Sequence, residues 1–289
     1  MLQSSPISKI TLEGREFLIK RDDLFDPYLA GNKYRKLHTL LNTPKDSLQK
    51  IISYGGTQSN AMLAISALCK QKGWEFFYYT KPVSSVIKSQ KFGNFYNALS
   101  LGMQHFELEE VHYKDFVSSL RLGFDANSYV IDQGGADKSA KDGLEQLAYE
   151  IREANLDIEA IATPSGTGTT ALFLALALPE LKVYTVPCVG DVAYLKEQML
   201  ALHPIPQNLI ILQPKRKYHF AKLYPEFLDI YKKTKEAGVT FDLLYAPSLW
   251  MTLLEQTNER VLYVHSGGVS GNESMLDRYE KKYSQTKKV

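Results

Sequence analysis

The sequence predicts an α/β fold built on doubly wound parallel sheets. Two observations carry this. Twice a short strand runs through a loop of small residues straight into an apolar helix, once at Lys50–Tyr54, Gly55-Gly56-Thr57-Gln58-Ser59-Asn60 and again over 158–170. Around these units strand-like and helix-like segments alternate, which is the pattern of strand–helix–strand crossovers. A length of 289 residues suits one large domain or two modest ones.

The elements follow in order. Ile7 to Lys20 alternates loosely around Gly14 and predicts two short strands joined by a turn. Arg21-Asp22-Asp23 then places adjacent charges at a strand end, where solvent is expected to cover them. A Gly31-Asn32 turn opens a helix from Lys33 that carries Leu37, Leu40 and Leu41 on one face and stops near Asn42-Thr43-Pro44. The strand 50–54 leads to a small, apolar helix from Ala61 to Cys69, with Ser59 or Asn60 as its cap. Strands are expected at 75–79, 102–108 and 128–131, with helices at 86–99 and 113–120 between them. Leu144, Leu147, Ala148 and Ile151 predict a helix over 144–154. A buried strand near 158–162 precedes a tightly packing helix at 171–178, then a strand at 182–189 and a helix at 191–201. The basic run Lys215 to His219 reads as a surface loop, and 218–238 as one or two amphipathic helices. Phe241 to Tyr245 reads as a strand ending on Tyr245 before another helix, and 261–264 as a strand meeting His265-Ser266-Gly267-Gly268.

Composition removes several functions. A formal net charge of +2 gives no electrostatic footprint for nucleic acid. The longest apolar run, Ala171 to Leu178, is far too short to span a bilayer. Met1 to Pro6 lacks a basic segment followed by an apolar core, so no signal peptide is expected. Cys69 and Cys188 are the only cysteines, which fits a reducing cytoplasm, and neither sits in a metal-ligand pattern.

Three stretches carry chemistry. Lys33 follows a Gly-Asn turn at a helix start. There a lysine can be held out of bulk water, and burial or a nearby cation such as Lys36 would lower its pKa and make it nucleophilic. Taken alone, the stretch reads as a solvated helix terminus with three basic residues. Gly55 to Asn60 offers the free N–H groups of a helix start, suited to a carboxylate or phosphate, although Gly-Gly alone is a plain turn. The loop Thr163-Pro164-Ser165-Gly166-Thr167-Gly168-Thr169-Thr170 is small and hydroxyl-rich, and reads as a phosphate cup. It is neither a Walker loop nor the dinucleotide Gly-x-Gly-x-x-Gly.

Lys20-Arg21-Asp22-Asp23-Leu24 with Gly31-Asn32-Lys33-x-Arg35-Lys36-Leu37 resembles the opening of the pyridoxal-phosphate (PLP) enzymes of the 1-aminocyclopropane-1-carboxylate deaminase and D-cysteine desulfhydrase family. Gly55-Gly56-x-Gln58-Ser59-Asn60 resembles its second motif, the Ser165–Thr170 loop its phosphate loop, and His265-Ser266-Gly267-Gly268 its last motif. Asp242-x-x-Tyr245 resembles its tyrosine string. The resemblance runs from about Pro6 to Gly268. It implies the two-domain fold of the fold type II PLP enzymes. Residues 1–45 and 134–289 would form the larger, cofactor-binding domain and 46–133 the smaller α/β domain, because Asp132-Gln133-Gly134-Gly135 stands where the family chain crosses back. It also implies a homodimer.

The implied site follows residue by residue. Lys33 would carry the cofactor and move a proton at the substrate α-carbon, with Ser59 and Tyr245 as the other catalytic residues. Asn32, Lys36 and Asn60 would bind PLP, as would Ser165, Gly166, Thr167, Gly168 and Thr169 at the phosphate and Ser266 at the ring nitrogen. Gln58, Ser59, Asn60 and Tyr245 would bind a small amino-acid substrate. No metal is implied. Two departures bear on the reaction. As the family pattern stands, cyclopropane deaminases carry a glutamate after the tyrosine and a leucine after the histidine; this chain has Ala246 and Ser266. A neutral serine leaves the pyridine nitrogen less protonated and delocalises less charge, which favours β-elimination of D-cysteine to pyruvate, sulfide and ammonia over opening of the cyclopropane ring to 2-oxobutyrate and ammonia. Ala246-Pro247 departs from both patterns and leaves open a PLP-binding protein with weak catalysis. Without the other motifs, His265 is a satisfied core histidine and Tyr245 a packing residue.

Overall fold

The computed structural model describes residues 4–120, 127–135 and 137–285; the residues 1–3 used in the leader reading, and parts of both expected domains, lie outside them. β1 (Ile7–Leu12) and β2 (Arg15–Lys20) form an antiparallel hairpin, followed by α1 (Gly31–Lys36) and α2 (His38–Asn42). Then come β3 (Lys50–Tyr54), α3 (Asn60–Lys72), β4 (Glu75–Thr80), α4 (Ser85–Ser89), α5 (Gly93–Ser100), β5 (Met103–Glu107), α6 (Glu110–Ser119) and β6 (Ser128–Ile131). The chain continues through α7 (Ala140–Glu153), β7 (Ala160–Ala162), α8 (Thr169–Ala177), β8 (Lys182–Thr185), α9 (Val192–Leu200) and β9 (Leu209–Ile211). It ends in α10 (Pro225–Glu236), α11 (Ala246–Gln256), β10 (Val261–Val264) and α12 (Asn272–Gln285).

Two sheets result. One has strand order β1-β2-β10-β7-β8-β9, parallel except for the β1–β2 hairpin; the other is all parallel in the order β5-β4-β3-β6. In each, the chain winds one way and then returns to the other side of its first parallel strand. In the larger sheet this reversal falls between β7 and β10, and in the smaller between β3 and β6. Ligands bind at such switch points, beyond the carboxyl ends of the strands. Helices cover both faces of the larger sheet. Phe17, Phe241, Trp250 and Tyr263 pack one face, and Leu144, Leu172, Leu195 and Leu262 the other. Apolar material on both faces is why its central strands read as continuous apolar runs.

Several expectations are corrected by tertiary contacts. The helix from Lys33 breaks at Leu37, where α1 ends against α7: a Cβ on Gly143 would stand 1.9 Å from the Arg35 carbonyl oxygen, so only glycine allows that approach. The helix expected over 86–99 is two, because Gly93 adopts a positive φ of 86° to bring its backbone against Ser274 of α12. Phe241–Tyr245 is not a strand, and β8 stops at Thr185 rather than at 189. β9 and α12 are additional to the expected elements, although Met275, Tyr279 and Tyr283 recur at helical spacing along α12. The charges at 21–23 are not solvated. Asp22 is fully buried, bonded to Arg35 and Ser5, and Arg21 pairs with Asp23. Among the described residues no helix is long and apolar enough to cross a membrane, and no cluster of three or more His, Cys, Asp or Glu could hold a metal ion.

Candidate active site

A cavity of about 720 Å³ opens where the two switch points face each other. The loops after β7 and β10 reach it from one side, and those after β3 and β6 from the other. Every residue expected to be catalytic or to bind cofactor or substrate lines it.

The lysine turn is docked by backbone. Gly31 has φ +60°, and a Cβ there would lie 2.1 Å from the Ser266 carbonyl. The Asn32 N–H donates to that same carbonyl at 3.2 Å. Glycine at 31 is thus required by the loop after β10, and Ser266 is placed beside the lysine turn. The Lys33 amine donates to Asn32 Oδ1 at 2.9 Å, and Asn32 Nδ2 donates to Thr170 Oγ1 at 3.2 Å, tying the lysine to the hydroxyl-rich loop. Desolvation lowers the Lys33 pKa to about 8, against the attraction of Asp242. Lys36 donates to the Gly134 carbonyl at 3.3 Å and is itself pushed well down, first by burial and then by Lys33. Burial, rather than the neighbouring cation, is what lowers the Lys33 pKa.

The loop after β3 runs into α3 with Ser59 as the cap, its Oγ accepting from Met62 N–H at 3.2 Å. Buried Asn94 donates to Asn60 Oδ1 at 2.8 Å and to the Gln58 carbonyl at 3.2 Å. Asn60 therefore turns its amide N–H₂ away from Asn94, against Gly268, where a Cβ would stand 2.4 Å from Nδ2. Asn94 gave no signal in the sequence because it lies in an ordinary helix opposite this loop.

The loop after β7 is held from below. Ser165 N–H donates to the Val186 carbonyl, and Thr185 Oγ1 donates to Ser165 Oγ at 2.7 Å. Gly168 starts α8 with φ +78°, and Thr167 and Thr169 hydroxyls lie 3.1 Å apart. The first N–H groups of α8 have no partner within the helix and point toward the cavity end of the loop. These donors fit a phosphate, while glycine at 168 is required by α9, since a Cβ there would stand 2.5–3.0 Å from Met199 and Leu195. Lys33, tied to this loop through Asn32 and Thr170, fits the carbonyl end of PLP.

Tyr245 is fixed by a turn the sequence only hinted at. Buried Asp242 accepts from the N–H groups of Leu244 at 2.9 Å and Tyr245 at 2.6 Å, while Asn272 holds Phe241 and Leu243 through their backbone. Burial raises the Asp242 pKa, against those N–H bonds, and pushes the Tyr245 hydroxyl far up as well. Ala246 packs into the core and does not line the cavity. His265 is a core residue as expected: fully buried, stacked on Phe241, with Nε2 2.9 Å from the Thr240 carbonyl and Nδ1 accepting from Gly267 N–H. Tyr54, Tyr194 and Phe220 also line the cavity, in positions that match no motif, and so does Asp132 of the segment expected to cross back between domains.

The comparisons with known proteins agree with this geometry. No family model matches the chain. The crystal structure of a homologue of 1-aminocyclopropane-1-carboxylate (ACC) deaminase superposes with a TM-score of 0.73 at 21% identity, covering 96% of this chain and 94% of that one. A pyridoxal 5'-phosphate-dependent aspartate racemase superposes at 0.65 and 12% identity, covering 91% and 90%. The fold is that of the fold type II PLP-dependent enzymes. Within it, a Thermotoga maritima protein provisionally named 1-aminocyclopropane-1-carboxylate deaminase is 25% identical over 89% of this chain and 90% of its own length. The D-cysteine desulfhydrase of Salmonella newport is 23% identical over 88% and 87%. The chain is a relative of the ACC deaminase and D-cysteine desulfhydrase family, as its motifs indicated.

Proposed function

We propose that this chain is a PLP-dependent lyase or deaminase acting on a small amino acid, with D-cysteine-type β-elimination as its reaction. The observation that carries this is the convergence of a desolvated Lys33, the Gln58-Ser59-Asn60 helix start and the Ser165–Thr170 loop on one cavity. When bound, PLP supplies an electron-withdrawing ring that takes up the charge developing at the substrate α-carbon. Asn32, Lys33, Lys36 and Asn60 would hold the cofactor from one side. The loop from Ser165 to Thr169 would take its phosphate, and Ser266 its ring nitrogen. The substrate carboxylate would sit on the start of α3, bound by Gln58, Ser59 and the Asn60 amide. Lys33, with a pKa near 8, takes the α-proton, and the Tyr245 hydroxyl, kept protonated by its surroundings, gives a proton to the leaving sulfur. Neutral Ser266 and the inward-packed Ala246 support elimination over ring opening, since neither offers a carboxylate to the ring nitrogen. We further read residues 1–45 and 134–289 as one domain and 46–133 as the other, in a cytoplasmic homodimer.

The test is the visible spectrum of the purified protein before and after D-cysteine, with sulfide assayed in the same sample. A cofactor band present in the native chain, absent in Lys33→Ala and perturbed by D-cysteine with release of sulfide is the expected result. A band that D-cysteine leaves unchanged while the cyclopropane amino acid yields 2-oxobutyrate would reverse the choice of reaction, and no band after adding PLP would remove the cofactor.

A further inference from the structure

The outer part of the cavity differs in character from the part that would hold PLP and an amino acid. Phe220 lies on the Tyr245 ring, centroids 5.2 Å apart. A Cβ on Gly166 would meet Tyr245 Cε1 at 3.4 Å and Val189 Cγ2 at 3.9 Å, ordinary contact distances that place both side chains beside this loop. Gly190, next to Val189, is covered by the Tyr194 ring, with atoms 2.6–2.9 Å from where its Cβ would be. Phe220, Tyr245, Val189 and Tyr194 all line the cavity, Phe220 against Tyr245 and Tyr194 over the turn after Val189, and give this wall an apolar strip.

The segment bearing Phe220 is built to present it. Ala221 adopts φ +58°, an uncommon conformation for a non-glycine residue, in a turn closed by the Lys222 N–H to the His219 carbonyl. Tyr218 is packed on Tyr224 and Phe227, and His219 N–H donates to the Tyr224 hydroxyl at 2.9 Å. The loop is anchored on both sides of Phe220, yet Phe220 remains 40% exposed and Tyr194 39%. Two aromatic rings held half-open on a cavity wall have contact surface to offer a ligand.

We infer that the preferred substrate is a cysteine thioether whose apolar sulfur substituent lies along the strip from Tyr245 to Phe220 and Tyr194. This rests on the elimination reading above and extends it. D-Cysteine itself has nothing to place there. In the reaction, the Cα–H bond breaks with its proton passing to Lys33, and its electron pair forms the Cα–Cβ double bond. The Cβ–S bond breaks with its pair leaving on sulfur, which takes the Tyr245 proton and departs as a thiol. Water then hydrolyses the 2-aminoacrylate to pyruvate and ammonia, and the proton on Lys33 returns to Tyr245 through solvent. The sum is thioether plus water giving thiol, pyruvate and ammonia.

The experiment compares S-benzylcysteine with cysteine, both enantiomers of each, on the PLP-loaded protein by pyruvate release. S-Benzylcysteine and alanine are then titrated into the cofactor-free protein by calorimetry. An aromatic pair contributes roughly a factor of two to ten, so kcat/KM for one S-benzyl enantiomer is expected to exceed that of cysteine about tenfold. Phe220→Ala should lower the S-benzyl value at least five times more than the cysteine value, and Phe220→Leu should restore part of it. Equal kcat/KM for the two substrates, or an equal loss on both in Phe220→Ala, overturns the inference. If no thiol amino acid releases pyruvate, the elimination reading fails separately; the strip is then decided by binding, where S-benzylcysteine binding no tighter than alanine refutes it.

Discussion

The helix that carries Lys33 is anchored by a buried charge network, and breaking it makes the most exacting prediction. Arg35 lies two residues beyond Lys33 and is fully buried. Its guanidinium donates to Asp22 at 3.0 and 2.9 Å and to Glu150 at 2.6 and 2.8 Å. Lys20 pairs with Glu150 at 2.8 Å and donates to the Ser5 carbonyl at 2.6 Å, and Ser5 Oγ bonds Asp22. Two cations thus face two carboxylates out of contact with water. Burial disfavours both charged forms, yet their mutual bonds prevail, holding the Arg35 pKa up and the Glu150 pKa down. Arg35→Met would leave Lys20 alone against two carboxylates, with Asp22 keeping only Ser5. Losing one partner of a buried pair costs about 3–5 kcal/mol, a large share of the roughly 5–15 kcal/mol that holds a domain folded. With a urea slope of about 2–3 kcal/mol per molar, the unfolding midpoint should fall by roughly 1–2.5 M. Adding Asp22→Asn restores charge neutrality and should recover at least about 1 kcal/mol, a coupling expected of groups in direct contact. PLP affinity, read from the cofactor absorption, should fall in parallel, since α1 loses its anchor on β2 and α7. A loss under about 1 kcal/mol in Arg35→Met, or a double variant no more stable than the single one, would refute the network's role.

Two further outcomes follow from the buried groups. In the cofactor-free protein, Lys33 gives up its proton near pH 8, whereas the unfolded amine keeps it to about 10.5. Between these values the unfolded state binds more protons, so the free energy of unfolding rises with pH by up to about 1.4 kcal/mol per unit; below pH 8 the Lys33 contribution is constant. Urea midpoints of the native chain and Lys33→Met across pH 7–10.5 should therefore differ in slope only above about 8, and parallel profiles would contradict a desolvated lysine. Both cysteines are buried with thiol pKa values pushed up by desolvation, that of Cys69 to about 12. Neither should react with a disulfide reagent at pH 8 within the time that both react in urea, and rapid labelling of the native chain would show that one is accessible.

The sequence by itself determined the class of fold and the walls of the site. Strand–loop–helix units, with their small residues at the turns, are local patterns, and Lys33, Ser59 and the Ser165–Thr170 loop could be read because each is bound to such a turn. Of the two cap candidates Ser59 is the cap, and His265 is the core residue. Contacts between segments far apart in the chain had no such signal. Asp22 and Asp23 read as solvated strand-end charges, but Arg35 covers Asp22 and Arg21 pairs with Asp23, and Arg35 is held in turn by Glu150, 115 residues further along the chain. The breaks at Leu37 and before Gly93 are imposed by α7 and α12 packing against them, not by helix propensity. Phe220 and Tyr194 line the cavity because the fold brings their loops beside Tyr245 and the Ser165–Thr170 loop, which are distant in the chain. Periodicity and turn chemistry are properties of a few consecutive residues; burial, pKa and the shape of a cavity belong to the neighbours that only the folded chain supplies.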